Sequence, residues 1–241
     1  MLITSKAIIL KTLKYGETSL ICEIFTELHG ILTVIIGGVR KSRTRNSAGI
    51  VQPGSLVDMT IYYKKDNNMH RVKEYKAAYV FRRIPFEVPR IAVSQFMVEI
   101  IKKSVRESEK NQTLFEYCYE NIYKLDQEEL SVRYAAIDFA LELTKHLGFY
   151  PQNNWSEKLK YFDLTNGTFR ENHMGIGQSL SDQASKLLSQ FISQKEDLLE
   201  TNLNDSERHE ILDNLLFYYQ VHVEHFGKMN SPEIYHDIFY S

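Results

Sequence analysis

The chain is poor in cysteine and has no long apolar run. Its two cysteines, Cys22 and Cys118, lie far apart in 241 residues, each inside an apolar-patterned segment. A disulfide framework or a structural zinc site needs more cysteines at closer spacing, so we expect two buried free thiols in a reducing compartment. No stretch approaches about 18 uninterrupted apolar residues, and the first residues lack the order of a signal peptide. The sequence therefore predicts a cytoplasmic protein without a membrane span.

Motifs of nucleotide hydrolases and of other hydrolytic enzymes are also missing. There is no Gly-x-x-x-x-Gly-Lys-Ser/Thr sequence, and no Ser/His/Asp or Cys/His arrangement can be inferred. The segment from His209 to Asp213 resembles a zinc-protease helix, but an aspartate replaces the second histidine. A metal-dependent hydrolase that uses His209, Glu210, His222 and His225 is therefore an unfavoured alternative. We predict a protein that is not an enzyme, with no catalytic residue, no cofactor and no metal.

What the sequence does have is charge of opposite sign in its two halves. Residues 1–90 contain 15 Lys and Arg against 7 Asp and Glu, a net +8, whereas residues 91–241 contain 14 against 24, a net −10. A basic module joined to an acidic one indicates a domain that meets a polyanion. The phosphate backbone of nucleic acid is the commonest polyanion in a cell, because each neutralised phosphate releases counterions. An ordinary solvated surface is the alternative.

Short apolar segments in the first eighty residues predict β-strands. They are rich in Ile, Val, Leu and Thr, with short polar breaks between them, and they cover residues 7–13, 18–26, 30–36, 56–63 and 71–81. Five strands with one long connection after the third fit a five-stranded oligonucleotide-binding (OB) barrel, and an SH3-like barrel is the alternative. We assign this barrel to a nucleic-acid-binding domain of residues 1–82.

From about residue 88 the apolar period changes from two residues to about 3.6, which predicts helices. They cover residues 91–105, a segment opened by a capping box from Thr113 to Glu116, a segment from 126–129 to 146, residues 182–193 and 206–226, and a short last helix from residue 231. Gly148 and Pro151 end the third of these.

The helical pattern is interrupted once. Asn166-Gly167 between two aromatic-bearing runs is a strong hairpin signal and predicts a β-hairpin inserted near residues 155–172. The predicted fold class is therefore an α+β multidomain protein: an N-terminal OB barrel followed by a mainly helical domain over residues 83–241.

The strongest chemical signal is the segment from Gly37 to Asn46. Arg40, Lys41, Arg43 and Arg45 fall within six residues, beside two glycines and two hydroxyl side chains and without a nearby acid. The arginine fork matches phosphate oxygens, and glycine lets backbone N–H groups approach closely. Because so many like charges in one loop are costly without an anion, we interpret the segment as a phosphate-binding loop. A solvated loop held apart by repulsion is the alternative.

Two predicted loops beside the binding face of an OB barrel carry further cations and tyrosines. Aromatic rings stack on any base, so cations mixed with tyrosines are typical of a sequence-tolerant single-strand groove. The residues predicted to contact DNA here are Lys14, Tyr15, Lys64, Lys65, Arg71 and Lys73. Strand alternation lets only about half of such side chains face one side, and core packing is the alternative for each tyrosine.

With these segments placed, the chain resembles the bacterial recombination mediator family RecO nearly from end to end. The matching stretches are Ala7-Ile-Ile-Leu-Lys11, Tyr15-Gly-Glu-Thr-Ser19, Gly37-Gly-Val-Arg-Lys-Ser-Arg43, Gln52-Pro53, Phe139-Ala-Leu141, His146-Leu-Gly-Phe-Tyr-Pro151 and the hairpin from Phe162 to Phe169. Their order and spacing, rather than any one of them, carry the resemblance.

The resemblance implies a non-catalytic protein that binds single- and double-stranded DNA and anneals complementary strands. With its partner RecR, such a protein helps to load the RecA recombinase onto DNA coated by single-strand-binding protein. Arg40, Lys41 and Arg43 match the family's basic segment, and Arg45 extends it on composition alone.

The resemblance also implies that the helical domain receives the acidic, apolar C-terminal tail of the single-strand-binding protein. Arg133 and Lys145 lie on an otherwise apolar and acidic predicted helix and are our candidates for contacting that tail. Two solvated cations on a helix surface are the alternative.

One departure from the family concerns zinc. Many relatives hold zinc in a four-cysteine cluster around the inserted hairpin, whereas this chain has no cysteine from Asn153 to Ser181. We therefore expect a zinc-free hairpin held by apolar side chains, namely those of Trp155, Tyr161, Phe162, Leu164 and Phe169.

Two other functions stay open beside the favoured one. A single-stranded RNA-binding OB protein would use the same cations and aromatic rings. A pure interaction adaptor would show no salt-dependent affinity for nucleic acid.

Overall fold

The structure is a computed structural model that describes residues 1–39, 49–65, 67–106, 110–127, 131–175, 177–193 and 203–239. Its contacts divide the chain into two compact units, Met1–Gln127 and Glu128–Ser241. The first unit groups the barrel with the two helices that follow it. The domain boundary predicted after residue 82 stays a prediction.

Five strands close a barrel in the first unit. They are β1 (Leu2–Tyr15), β2 (Ser19–Thr26), β3 (Gly30–Ile36), β4 (Leu56–Tyr62) and β5 (His70–Ala77). The strands follow the order β1-β2-β3-β5-β4 around the barrel, and every neighbouring pair is antiparallel except β3 with β5. This arrangement confirms the predicted OB fold and excludes the SH3-like alternative.

The first strand is longer than predicted because it pairs on both sides. Its first half pairs with β4 from Leu2 to Ile8, and the part from Ala7 to Tyr15 pairs with β2. The register shifts between Ile9 and Lys11, and an irregularity of this kind bends a strand and increases its twist. One strand can thereby close the barrel.

Alternating side chains fill the barrel. In β3 the residues Leu32, Val34 and Ile36 are buried, while those between them are half-exposed, which is the two-residue period of a strand with one face in the core. Cys22 is buried in this core and Cys118 in a helix that packs outside it, and both are free thiols, as predicted. Burial raises the pKa of both cysteines.

Two helices of the first unit follow the barrel in the described part of the chain: α1 (Val88–Ser104) and α2 (Gln112–Asp126). The predicted capping box from Thr113 is wrong. The cap is Asn111, whose side-chain oxygen accepts a hydrogen bond from the backbone N–H of Leu114 at 3.1 Å, and a short amide satisfies a free helix N–H well. Phe115 of α2 packs edge-on against Phe25 of β2, with ring centroids 5.3 Å apart.

Asp126, the last residue of α2, binds the segment of chain that follows the last barrel strand. Its carboxylate accepts hydrogen bonds from the backbone N–H groups of Arg82, Arg83 and Ile84 at 2.8–2.9 Å and from the Tyr79 hydroxyl at 2.8 Å. Burial alone would raise the pKa of Asp126, but these donors hold it below its usual value. The third predicted helix therefore does not begin at residues 126–129 but after Ser131.

The second unit contains four described helices. The first of them, α3 (Val132–Leu147), begins after Ser131 and ends at Gly148, whose φ of 86° is the left-handed conformation that glycine adopts without strain. The helix end was predicted and is confirmed. The helices are α3 (Val132–Leu147), α4 (Asp182–Ser193), α5 (Asp205–His222) and α6 (Ser231–Phe239), and α3 and α4 both pack against α5.

The predicted hairpin is confirmed as β6 (Tyr161–Asp163) and β7 (Thr168–Arg170). Three of its predicted apolar anchors, Phe162, Leu164 and Phe169, are buried. Trp155 and Tyr161 are only half-buried.

The polar support of the hairpin was not foreseen. Asp163 is 1% exposed and accepts hydrogen bonds from the backbone N–H groups of Thr165 and Asn166 at 2.9 and 3.1 Å. It also accepts from the Asn166 side chain and forms an ion pair with Arg170 at 2.5 Å. One carboxylate thus organises the loop between β6 and β7.

No helix among the described residues is sufficiently long and apolar to cross a lipid bilayer.

Candidate nucleic-acid interface

A row of side chains crosses four strands on the outside of the barrel. Leu2 of β1 pairs with Tyr62 of β4, Tyr62 pairs with Arg71 of β5, and Arg71 pairs with Ile35 of β3. Register partners on neighbouring strands project from the same face of a sheet. We call these four residues the outer row. Leu2 and Tyr62 are 50% and 52% exposed, so the row presents apolar and aromatic surface beside a cation.

A groove of about 550 Å³ follows the outer row into the connection between β4 and β5. Lys64 and Met69 of that connection line it, together with all four residues of the outer row. An adjoining depression of about 450 Å³ contacts Tyr62 and Arg71 and continues to Lys73. We call both together the β4–β5 groove.

A ring stack supports one side of the groove. Tyr63 lies between His29 and His70, with centroid separations of 4.7 and 4.8 Å. Burial, with a smaller contribution from His29, lowers the pKa of His70, so this ring is neutral at pH 7. The Tyr63 side chain packs against the barrel core, as does that of Tyr75.

Two of the described tyrosines are exposed, Tyr15 at 53% and Tyr62 at 52%. Tyr62 is in the β4–β5 groove, whereas Tyr15 ends β1 and pairs with Ser19 of β2. Lys14, the preceding residue of β1, pairs with Leu20 of β2. The predicted pair Lys14 and Tyr15 is thus exposed but does not line the β4–β5 groove.

The remaining predicted cations cluster at the groove. Arg71 and Lys73 are exposed on β5 with the buried Val72 between them, so alternation puts both on the outer face. Lys64 lines the groove, and Lys65, which follows it, is exposed. Within the described part of the chain, none of these four cations forms an ion pair.

Lys76, unlike these four cations, has a carboxylate partner among the described residues. It lies further along β5, and its ammonium group is 3.6 Å from the carboxylate of Asp58. Among the described residues, Lys64, Lys65, Arg71 and Lys73 have no carboxylate within ion-pair distance.

The basic segment is the strongest chemical signal in the sequence, and its cations Arg40, Lys41, Arg43 and Arg45 lie outside the described residues. The chain that leads to them leaves β3 at Ile36, directly after Ile35 of the outer row. Gly38 has a φ of 74°, which favours glycine at that position.

In the helical unit, the structure does not bring Arg133 and Lys145 together. The Arg133 guanidinium forms an ion pair with Asp205 at 3.1 Å. Lys145 is exposed in the last turn of α3, about 18 Å from Arg133 along the helix axis. Their contact with an acidic tail stays a prediction.

The four residues of the hydrolase alternative do not come together in one site. His222 Nε2 lies 2.7 Å from the carbonyl oxygen of Leu164, and its ring stacks on Phe149. His225 is an exposed residue beside Glu224. Since His209 and His222 are at opposite ends of α5, about 20 Å separate them along the axis.

Sequence reasoning missed the alignment of the outer row. Leu2 and Ile35 carry no chemical signal of their own, and they meet Tyr62 and Arg71 only through the barrel register. Alternation within β4 was the available signal: Ile61 is buried, which places Tyr62 outside.

Comparison with known proteins fits this geometry. The family model "Recombination protein O N terminal" matches residues 1–81, and "Recombination protein O C terminal" matches residues 86–232. The chain belongs to the RecO family. Membership of RecO assigns it to DNA repair and recombination, in a family of mediators that are not known as enzymes.

Relatives that match over their full length belong to the same family. DNA repair protein RecO of Flavobacterium psychrophilum is 31% identical over 241 residues, which is 99% of this chain and 100% of the relative. Those of Christiangramia forsetii and Bacteroides fragilis are 30% and 28% identical over the same shares of each chain. The RecO match therefore extends over both compact units.

Proposed function

We propose that the chain binds single- and double-stranded DNA on the outer face of its barrel and anneals complementary strands. One observation supports this above all others: the exposed ring of Tyr62 lies among the groove cations Lys64, Arg71 and Lys73. A base stacks on an aromatic ring whatever its identity, while neighbouring cations neutralise the phosphates. The combination suits DNA held without regard to sequence.

Annealing follows from charge neutralisation. Two complementary strands repel each other, and a cationic surface that binds both lowers that barrier and raises their local concentration. Stacking on Tyr62 engages the face of a base and leaves its Watson–Crick edge available for pairing. Arg40, Lys41, Arg43 and Arg45 follow β3 in the sequence and add four positive charges to the barrel unit.

RecO membership also supports a proposal about partners. With RecR, the chain assists the loading of RecA onto DNA coated by single-strand-binding protein, and its helical unit receives the acidic tail of that protein through Arg133 and Lys145. The site of action is the cytoplasm, where bacterial DNA lies.

The test is annealing of complementary oligonucleotides across a salt series, with and without single-strand-binding protein. Replacing Lys64, Arg71 and Lys73 by Ala removes three phosphate contacts, so the log–log salt slope for single-stranded DNA should become shallower by about 2. Annealing should slow in parallel. The matched control is Lys76→Ala, because that lysine is already paired with Asp58.

Equal slopes for the triple variant and the wild type would mean that the groove does not bind DNA. Competition between single-stranded DNA and RNA of equal length separates the RNA-binding alternative, which predicts a preference for RNA. An adaptor without a nucleic-acid role predicts no salt-dependent affinity in either assay.

A further inference from the structure

Three potential metal ligands meet in the helical unit, away from the barrel. His209 and Asp213 are one turn apart on α5, and His236 comes from α6. His209 Nε2 lies 2.9 Å from one carboxylate oxygen of Asp213, and His236 Nε2 lies 3.5 Å from the other. One ligand atom from each residue lies within 4.8 Å of those of the other two.

The spacing of these atoms suits a small divalent ion. Residues four apart on a helix face the same side, which explains the pairing of His209 with Asp213. Zinc bonds to imidazole nitrogen and carboxylate oxygen are about 2.0–2.2 Å long and roughly tetrahedral, which puts ligand atoms about 3.3 Å apart. The two contacts of Asp213, at 2.9 and 3.5 Å, lie on either side of this value, and all three ligand atoms lie within 4.8 Å of one another.

The charge around the cluster also favours a cation. A pocket of about 460 Å³ lies beside the three residues, and its described lining includes two further carboxylates, Glu233 and Asp237, and one ammonium group, that of Lys228. The Lys228 ammonium group is bound to Glu233 at 2.6 Å. The pocket therefore carries excess negative charge, which attracts a metal ion and repels an acidic peptide.

We infer that His209, Asp213 and His236 bind one divalent transition-metal ion, for which Zn²⁺ is the test ion. Two histidines and one carboxylate leave a fourth position for water or a small ligand from the pocket. The ion would join α5 to α6. The site is separate from the hairpin around which many RecO relatives hold zinc with cysteines, and it does not depend on the proposed DNA-binding function.

The experiment uses the full chain without an affinity tag. Competition with a chromogenic chelator should give one Zn²⁺ per chain, and Co²⁺ should produce the intense visible absorption of a four-coordinate site. His236→Gln and Asp213→Asn should each weaken Zn²⁺ binding at least about tenfold, since loss of even an outer partner of a ligand costs that much. His225→Gln is the matched control, because this exposed histidine of the same unit lies outside the cluster.

Thermal unfolding supplies a second measurement that tolerates loss of stability in a variant. Zn²⁺ should raise the unfolding midpoint of the wild type and of His225→Gln by roughly 5 °C, and that of His236→Gln not at all. The inference fails if the wild type binds no Zn²⁺ at millimolar concentration or gives only the weak absorption of six-coordinate Co²⁺. It fails equally if His225→Gln loses as much affinity as His236→Gln, or if His236→Gln keeps the wild-type affinity.

Discussion

Tyr62 of β4 and Arg71 of β5 are direct register partners, and both side chains are exposed on the outer face of the barrel. Their Cβ atoms are therefore about 5 Å apart by the geometry of paired strands. A nucleotide placed there meets a stacking surface and a phosphate-binding group together. The two contributions are separable, because only one of them depends on salt.

Replacing Tyr62 by Ala tests the stacking contribution. Loss of one base–aromatic contact costs about 1–3 kcal/mol, so the affinity for single-stranded DNA should fall roughly 5- to 150-fold. The salt slope should not change, because no charge is removed. Fluorescence anisotropy with a labelled oligonucleotide measures both quantities. Tyr62→Phe keeps the ring and should bind like the wild type; equally weak binding by both variants would contradict stacking.

Replacing Arg40, Lys41, Arg43 and Arg45 together by Ala tests the basic segment. Binding should weaken, and the salt slope for single strands should become shallower by up to about 2.8. A matched control removes the same charge from the helical unit, at Lys158, Lys160, Lys186 and Lys228. If both sets change the slope equally, net charge and not the segment determines the affinity.

The elements of the fold were largely predictable because their periodicity is local. The residues of β3 and α4 alternate or repeat cleanly, and both elements have the predicted bounds. The caps were not predictable in the same way. Thr113 and Glu116 have the spacing of a capping box. The helix nevertheless begins after Asn111, two residues earlier, because the side-chain oxygen of Asn111 accepts the hydrogen bond of the Leu114 backbone N–H.

The candidate site likewise has some features that the local sequence predicts and others that it does not. The outward direction of Arg71 and Lys73 follows from strand alternation and was expected from the sequence. The outer row depends on pairings between residues such as Leu2 and Tyr62 that are far apart in the chain, and no local pattern reports them. His236 similarly reaches Asp213 only through the packing of α6 against α5.

Asp126→Asn should destabilise the first unit. An amide has one oxygen where the carboxylate has two and carries no charge, so part of the four-donor cluster loses its acceptor, at a cost of about 1–3 kcal/mol. The matched control is Asp58→Asn, a surface partner of Lys76, which should cost less than about 1 kcal/mol. Urea unfolding at neutral pH measures both.

The same carboxylate predicts an acid dependence. The fold lowers the pKa of Asp126 below its unfolded value of about 3.9. Its stabilising contribution is therefore fully present above that unfolded value and is lost as pH falls through the lowered value. The difference in unfolding free energy between wild type and Asp126→Asn should shrink in this range; a constant difference would show that the charge is irrelevant.

Two glycines of the helical unit allow a controlled test of packing. Gly148 and Gly167 both have positive φ, at 86° and 62°. A Cβ on Gly148 has no neighbour within 4 Å, whereas one on Gly167 would overlap the hydroxyl group of Tyr218, which donates to the carbonyl oxygen of Phe149 at 2.8 Å.

Gly148→Ala should therefore cost only about 1–2 kcal/mol of backbone strain. Gly167→Ala should cost that amount plus about 1–3 kcal/mol for overpacking. Thermal or urea unfolding of the two variants gives the comparison. Equal losses would show that the loop moves away from Tyr218 without penalty.

The hydrogen bonds that Asp126 accepts from Arg82, Arg83 and Ile84 determine where the chain can be divided. A fragment that ends shortly after the last barrel strand would lack Asp126, so these three amide groups would lose their acceptor. It would also lack Phe115, so the ring of Phe25 would lose its packing partner. Anyone isolating the barrel for spectroscopy or for DNA titration should keep the polypeptide through Gln127.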